Sequence, residues 1–174
     1  MESLIALGVG WNGGAWSFPM TNARGDVVGI RYRNWRGEKW SERGGHEGVF
    51  RHLHSAVGNG PLLMPEGPTS SAAVLTLGFE VIGRPNDRGG GRYCCELALG
   101  RDVVVVADRD EGGQGQRGAQ GLAHQLVRWA TSVQVITPPV KDLRDWLLSG
   151  ASRNDVDRLI AAAPMQRLQV RYRQ

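Results

Sequence analysis

Three carboxylates, Glu66, Asp108 and Asp110, are the side chains best placed to do chemistry in this sequence. Glu66 follows a short apolar run, Leu62-Leu-Met64, closed by Pro65. Asp108 and Asp110 follow Val103-Val-Val-Val-Ala107, a continuous β-branched run of the kind that is buried on both faces of a parallel sheet. In open α/β sheets, ligands bind outside the carboxyl ends of strands, so two strand ends would present the three acids to one crevice. Hard oxygen donors suit magnesium or manganese, which bind through few carboxylates and leave positions for water and substrate phosphates. Such a metal polarises a phosphoryl oxygen and positions an attacking hydroxyl. An Asp-x-Asp at a strand end serves equally well to cap a helix or turn, and Glu66 alone is a weaker signal still.

The other reactive side chains are poorly arranged for catalysis. Cys94 and Cys95 are the only cysteines. Being adjacent, they cannot staple distant segments, and no second pair completes a zinc site, so they read as small core residues. Of His46, His52, His54 and His124, only His52-x-His54 is closely spaced, and both read as loop histidines. Gly112-Gly-Gln-Gly115 lacks the Gly-Lys-Ser/Thr ending of a phosphate loop and reads as a flexible turn.

Positioning the acids requires alternating strands and helices from about residue 60 onward. Strands are expected at 62–64, 79–82, 103–107 and 133–136. Helices are expected from Thr69, near 93–99, over 118–130, and around 142–148 and 154–163. This β-α-β order predicts a mostly parallel sheet flanked by helices on both faces. Residues 1–58 differ. There, apolar and basic residues alternate at 27–33, and Gly and Asn mark turns at 22–25 and 36–37, which is the pattern of short half-buried strands. The expected organisation is a small β-rich basic subdomain at 1–58, an α/β domain at 59–150, and a C-terminal helix and tail at 151–174. Trp11, Trp16, Trp35 and Trp40 fall in the basic segment. Packing of the small β layer is the favoured role for them, ahead of stacking on bases.

The chain has 174 residues, 41% hydrophobic and 22% charged, enough for a real core. No apolar run approaches the roughly 18 residues a membrane span needs, so no membrane partner is expected. The N-terminus lacks the basic flank of a signal peptide, and the expected compartment is the cytoplasm. Net charge is +4, and nearly all of the 21 basic residues are arginine. Arginine suits phosphate because its planar fork makes two parallel hydrogen bonds, although compositional bias explains such a content as readily.

Leu62-Leu-Met-Pro-Glu-Gly-Pro-Thr69 followed by Val103-Val-Val-Val-Ala-Asp-Arg-Asp110 resembles the signature of TOPRIM domains, a Glu-Gly after one strand and an Asp-x-Asp after a later one. Gly118-Ala119, Pro138-Pro139 and Lys141-Asp-Leu-Arg-Asp-Trp146 resemble the tail of that domain in phage and plasmid primases. One departure is Ser70, where many members carry an Asp four residues after the Glu. Ser17-Phe-Pro-Met-Thr-Asn-Ala-Arg-Gly-Asp-Val-Val-Gly-Ile-Arg-Tyr-Arg33 is similar to the part of bacterial replicative primase cores just ahead of their TOPRIM unit. The resemblance implies a basic strand surface facing the metal site, with Arg33, Lys39 and Arg31 holding template or nucleotide phosphates. Solvent-facing charges on a half-exposed sheet are the plainer alternative. Lys141 would touch a phosphate in the same cleft, or else pair with Asp142 or Asp145.

The function this implies is a primase-like nucleotidyltransferase of DNA replication, in a phage or mobile-element setting. Glu66, Asp108 and Asp110 would hold Mg2+ or Mn2+. Its partners would be a single-stranded DNA template and nucleoside triphosphates. No zinc ribbon or Walker motif occurs in the sequence, which leaves a fragment, a minimal primase, or a chain that borrows a helicase or zinc-binding module on another chain. The alternatives are a TOPRIM nuclease using the same acids to activate water, and a non-catalytic nucleic-acid-binding module. Tyr32, Tyr93 and Tyr172 carry no motif for topoisomerase strand transfer.

Overall fold

Turn chemistry and alternation build the first sheet. The computed structural model describes residues 1–52 and 60–166. The expected boundary at 58/59, His54, Tyr172 and the tail from 167 lie outside the described residues. A short helix, α1 (Glu2–Ala6), precedes four antiparallel strands in sequential order: β1 (Gly10–Trp11), β2 (Ala15–Thr21), β3 (Val27–Asn34) and β4 (Lys39–Ser41). The β2–β3 turn is held by Asn22, whose Oδ1 accepts from the amides of Arg24 and Asp26. Gly25 supplies the positive φ, +97°, that the turn requires. Phe18 and Met20 of β2 are buried under this sheet.

The second sheet runs β5 (Phe50–Arg51), β7 (Glu80–Gly83), β6 (Leu62–Met64), β8 (Asp102–Val106), β9 (Ser132–Ile136). Neighbours among β6 to β9 are parallel, and β5 is an antiparallel edge. Five helices cover it: α2 (Gly67–Thr76), α3 (Gly91–Leu97), α4 (Gln114–Leu126), α5 (Leu143–Leu148) and α6 (Arg153–Ala162). The valines of β8 alternate between two hydrophobic clusters. Val103 and Val105 pack with Cys94, Leu122 and Leu126, while Val104 and Val106 pack with Phe18, Val74 and Leu143. Both faces of β8 are therefore dry, as its continuous valine run predicts, and burial of each such side chain contributes on the order of 1.5–3 kcal/mol. Both cysteines are free and buried in the first cluster, and burial pushes the Cys94 thiol up to about 12.

The expected α/β architecture is observed: an antiparallel sheet followed by a mostly parallel sheet flanked by helices. Helix bounds shift for local reasons. The helix expected at 118–130 runs Gln114–Leu126, because the Asp110 carboxylate accepts from the Gln114 and Gly115 amides and starts it a turn early. Likewise α2 begins at Gly67 rather than Thr69, since Pro68 fits a first helical turn with no N–H to lose. The first sheet is tied to the second by a two-way bridge between Thr21 and Val49, each amide donating to the other's carbonyl at 2.9 Å.

Candidate active site

Strand β6 is where the chain reverses direction across the sheet. It continues to β7 on one side and then crosses to β8 on the other, so a crevice opens outside the carboxyl ends of β6 and β8. Glu66 stands at the first of these ends and Asp108 at the second. Both line one cleft. Backbone bonds lock the neighbouring loops together. The Arg84 amide donates to Pro65 O and the Gly67 amide to Arg84 O, each at 2.8 Å, while the Arg109 amide donates to Lys141 O at 2.7 Å.

Electrostatics mark the pair. Burial first, then the carboxylates of Glu66 and Asp142, push the Asp108 carboxyl up to about 7, against the pull of Arg84 and Lys141. The Glu66 carboxyl is raised as well, by burial first, with Asp87 and Asp110 adding and Arg84 and Lys39 opposing. Asp108 Oδ1 is buried and has no hydrogen-bond partner. Two acids held close at a half-buried site repel each other, which is the condition a cation relieves.

Asp110 is turned differently. Its Oδ1 accepts from the Gln114 amide at 2.8 Å and its Oδ2 from the Gly115 amide at 2.6 Å, and these bonds hold its carboxyl below the usual range. It thus caps α4 while remaining close enough to Glu66 to raise that group's pKa. Among the described residues, no group of three or more His, Cys, Asp or Glu is arranged to hold a metal ion.

The first sheet supplies the opposite wall of the cleft, lined by Phe18, Arg31, Arg33 and Lys39. Strand register explains why. Arg31 pairs across to Phe18, which is buried toward the second sheet, so Arg31 shares that face. Arg33 lies two residues on, on the same face, directly opposite Lys39 of β4. The Arg31 Nε is buried without a hydrogen-bond partner. Lys141 also lines the cleft. The three first-sheet cations and Lys141 therefore meet Glu66 and Asp108 around one opening.

The row does not stop at the cations. Trp11 faces Trp16, Trp16 faces Arg33, and Arg33 faces Lys39, one residue from each of four strands. The two indoles meet edge to face with centroids 5.0 Å apart, and they remain 51% and 44% exposed. The expectation that the tryptophans pack the β layer holds only in part: Trp11 meets Trp16, and Trp40 stacks on Tyr32 with centroids 5.4 Å apart, yet all four rings stay exposed. Trp35 is the most exposed of them, at 77%.

Two residues were not anticipated as members of the site. Arg84, at the end of β7, is 1% exposed and acts on both Glu66 and Asp108. Its signal was its place after a strand, Glu80-Val-Ile-Gly83, adjacent to the one that carries Glu66. Asp142 lines the cleft and raises the Asp108 pKa, while its Oδ1 caps α5 by accepting from the Asp145 amide at 2.8 Å. It follows the fourth strand just as Asp108 follows the third. Ser70 lies on α2, buried, on the cleft lining.

Neither a family model nor a curated protein matches the sequence. Solved structures do match in fold. A chain in the structure of the bacteriophage T7 lagging-strand DNA polymerase interacting with primase domains, bound to an RNA/DNA hybrid and dTTP, has a TM-score of 0.70 at 18% identity, over 93% of this chain and 86% of that one. The Escherichia coli primase catalytic core gives 0.67 at 17% identity, over 94% of this chain and 60% of that one. A DnaG primase catalytic domain bound to single-stranded DNA gives 0.66 at 16% identity, over 94% and 59%. The chain thus shares the fold of primase catalytic cores and spans about 60% of the bacterial cores' length.

Proposed function

We propose that this chain is a primase-type nucleotidyltransferase that makes primers on single-stranded DNA from nucleoside triphosphates. The observation that carries the reading is the facing of two walls across one cleft: Glu66 and Asp108 on one side, Arg31, Arg33 and Lys39 on the other. Transfer of a nucleotidyl group is mainly a matter of positioning phosphates and neutralising charge, which such a cleft provides. The likeness in fold to a primase domain with an RNA/DNA hybrid and dTTP, and to one with single-stranded DNA, supports the same substrates here. On this reading residues 59–150 form a TOPRIM domain and residues 1–58 the basic subdomain ahead of it, with a helicase or zinc-binding module on another chain as a partner.

The donors suit a divalent ion. They are hard oxygens, both carboxyls are raised in pKa, and the buried Asp108 Oδ1 lacks a donor. Glu66 and Asp108 would hold Mg2+ or Mn2+, with Asp110, which caps α4 nearby, as the third acid; one or two carboxylates suffice where substrate phosphates complete the shell. The ion would supply charge neutralisation to the transferring phosphoryl group and acidity to the attacking hydroxyl. Arg31, Arg33 and Lys39 bind template or triphosphate oxygens, and a phosphate oxygen would give the buried Arg31 Nε its acceptor. Lys141 closes the opposite edge, and Phe18 keeps the base of the wall dry.

One observation favours a second reading. The Asp110 oxygens are committed to α4, which leaves two acids rather than three and suits a non-catalytic nucleic-acid-binding module. Incorporation of labelled nucleotides on single-stranded templates, with magnesium or manganese, separates the readings. Metal-dependent product supports the primase. Binding without product supports the module, and cleavage of the template instead supports a TOPRIM nuclease.

A further inference from the structure

A second cleft, with about 470 Å³ of open volume against about 200 Å³ above the acid pair, has Arg84 in its lining. It lies between the turn that follows β7 and the flank of α4. Arg84 contributes to its floor, and Arg88 and Arg117 stand at its rim. Glycine makes the narrow approach possible: a Cβ at Gly118 of α4 would meet the Asp87 carbonyl at 2.9 Å.

The floor is the informative part. Arg84 is 1% exposed, and its Nη2 donates to Val106 O at 3.2 Å. Its Nε and Nη1 have no hydrogen-bond partner. A buried guanidinium with unmet donors is costly until an acceptor reaches it. The two rim arginines add charge of the same sign. Arg117 Nη1 is anchored on Gly112 O at 2.7 Å, and Arg88 is almost fully solvated. The one carboxylate in the lining, Asp87, is engaged by Gln114 Nε2 at 3.0 Å and lies 3.7 Å from Arg88 Nε. Three guanidiniums around one partly engaged carboxylate leave a positive cleft. The guanidinium fork matches phosphate oxygens with two parallel hydrogen bonds.

We infer that this cleft binds a phosphate group, carried by a free nucleotide or by a nucleic-acid strand, at a site separate from the acid pair. The site exists whether or not the acid pair is catalytic.

Amide NMR titration of the full chain without divalent metal tests this. The probes are inorganic phosphate, ATP and a short oligothymidylate, on wild type and on the Arg88→Ala/Arg117→Ala variant, whose changes lie at the rim and spare the fold. The expected result is saturable shifts at Gly89, Gly91, Gly118 and Gly121, with affinity weakened about tenfold or more in the variant. Tighter ATP than oligothymidylate at equal phosphate concentration assigns the site to free nucleotide; the reverse order assigns it to a strand. No saturable shift at these glycines with any probe, or equal affinity in the variant, overturns the inference. Shifts at residues 66–70 report the acid cleft separately, so failure at one site is distinguishable from failure at the other.

Discussion

Arg84 Nη2 donates to the carbonyl of Val106 at 3.2 Å, which pins a buried cation between the end of β7 and the strand that carries Asp108. Arg84 is the only charged residue buried among the described residues. Removing one partner of a buried charge cluster strands the others, at about 3–5 kcal/mol. Arg84→Met is therefore expected to lower unfolding free energy by about 3 kcal/mol in urea. In an Asp108→Asn background the loss should shrink by about 1 kcal/mol, because part of the stranded charge is gone. Strict additivity of the two changes would show that Arg84 and Asp108 do not interact.

The Asp108 carboxyl gives the metal-free protein a defined pH response. It holds its proton to about pH 7 when folded, and only to its ordinary 3.8 when unfolded. Between those values the native state binds more protons than the unfolded state. The contribution to stability is then full below about pH 4 and is lost as pH rises through 7. Melts in chelator at pH 5 and pH 8 should show a decline that Asp108→Asn flattens, with a residue left by Glu66. Divalent-ion affinity should run the other way, strengthening with pH up to about 7, because the ion needs the deprotonated group. Identical pH profiles for wild type and Asp108→Asn would refute this assignment.

The sequence carried the strands better than the site. The four valines of β8 announce a strand dry on both faces, and Glu66 and Asp108 follow from strand ends alone. What the sequence could not carry was orientation. Asp110 lies two residues from Asp108, and no pattern says that its oxygens turn to α4. Arg84 reads as one of many arginines until burial singles it out. The cross-strand row from Trp11 to Lys39 depends on the register of four strands, which short turns and a bulge between Met20 and Thr21 decide.

Gly115 holds the Asp108–Asp110 loop against α4. A Cβ there would meet Asp108 O at 2.6 Å and Asp110 Oδ2 at 3.0 Å. Backbone cannot give way as a flexible side chain does, so Gly115→Ala should cost about 1–3 kcal/mol and displace the loop. Thermal unfolding together with metal titration checks both effects. Unchanged stability and unchanged metal affinity would show that the loop relaxes freely.

The basic wall predicts a salt signature. If Arg31, Arg33 and Lys39 each meet a phosphate, the triple alanine variant should bind single-stranded DNA more weakly, with a log–log salt slope shallower by roughly 2. Trp16→Ala should cost about 1–3 kcal/mol of affinity with little change in slope, because stacking is not ionic. Fluorescence anisotropy across a salt series measures both. An unchanged slope in the triple variant would return these cations to solvent-facing charges.

Asp108→Asn tests the central claim most directly, since it keeps size and hydrogen bonding but removes the charge that a metal requires. Primer synthesis and single-strand affinity are measured side by side on wild type and variant, with magnesium and with manganese. The expected result is metal-dependent primer synthesis by the wild type and a loss of at least about a hundredfold in the variant, with most of the DNA affinity retained. Glu66→Gln should behave alike, and Ser70→Asp should leave synthesis equal or raise it. A variant that synthesises primers as fast as wild type, or a wild type that incorporates no nucleotide with either metal yet cuts DNA in a manner Asp108→Asn prevents, would contradict the account.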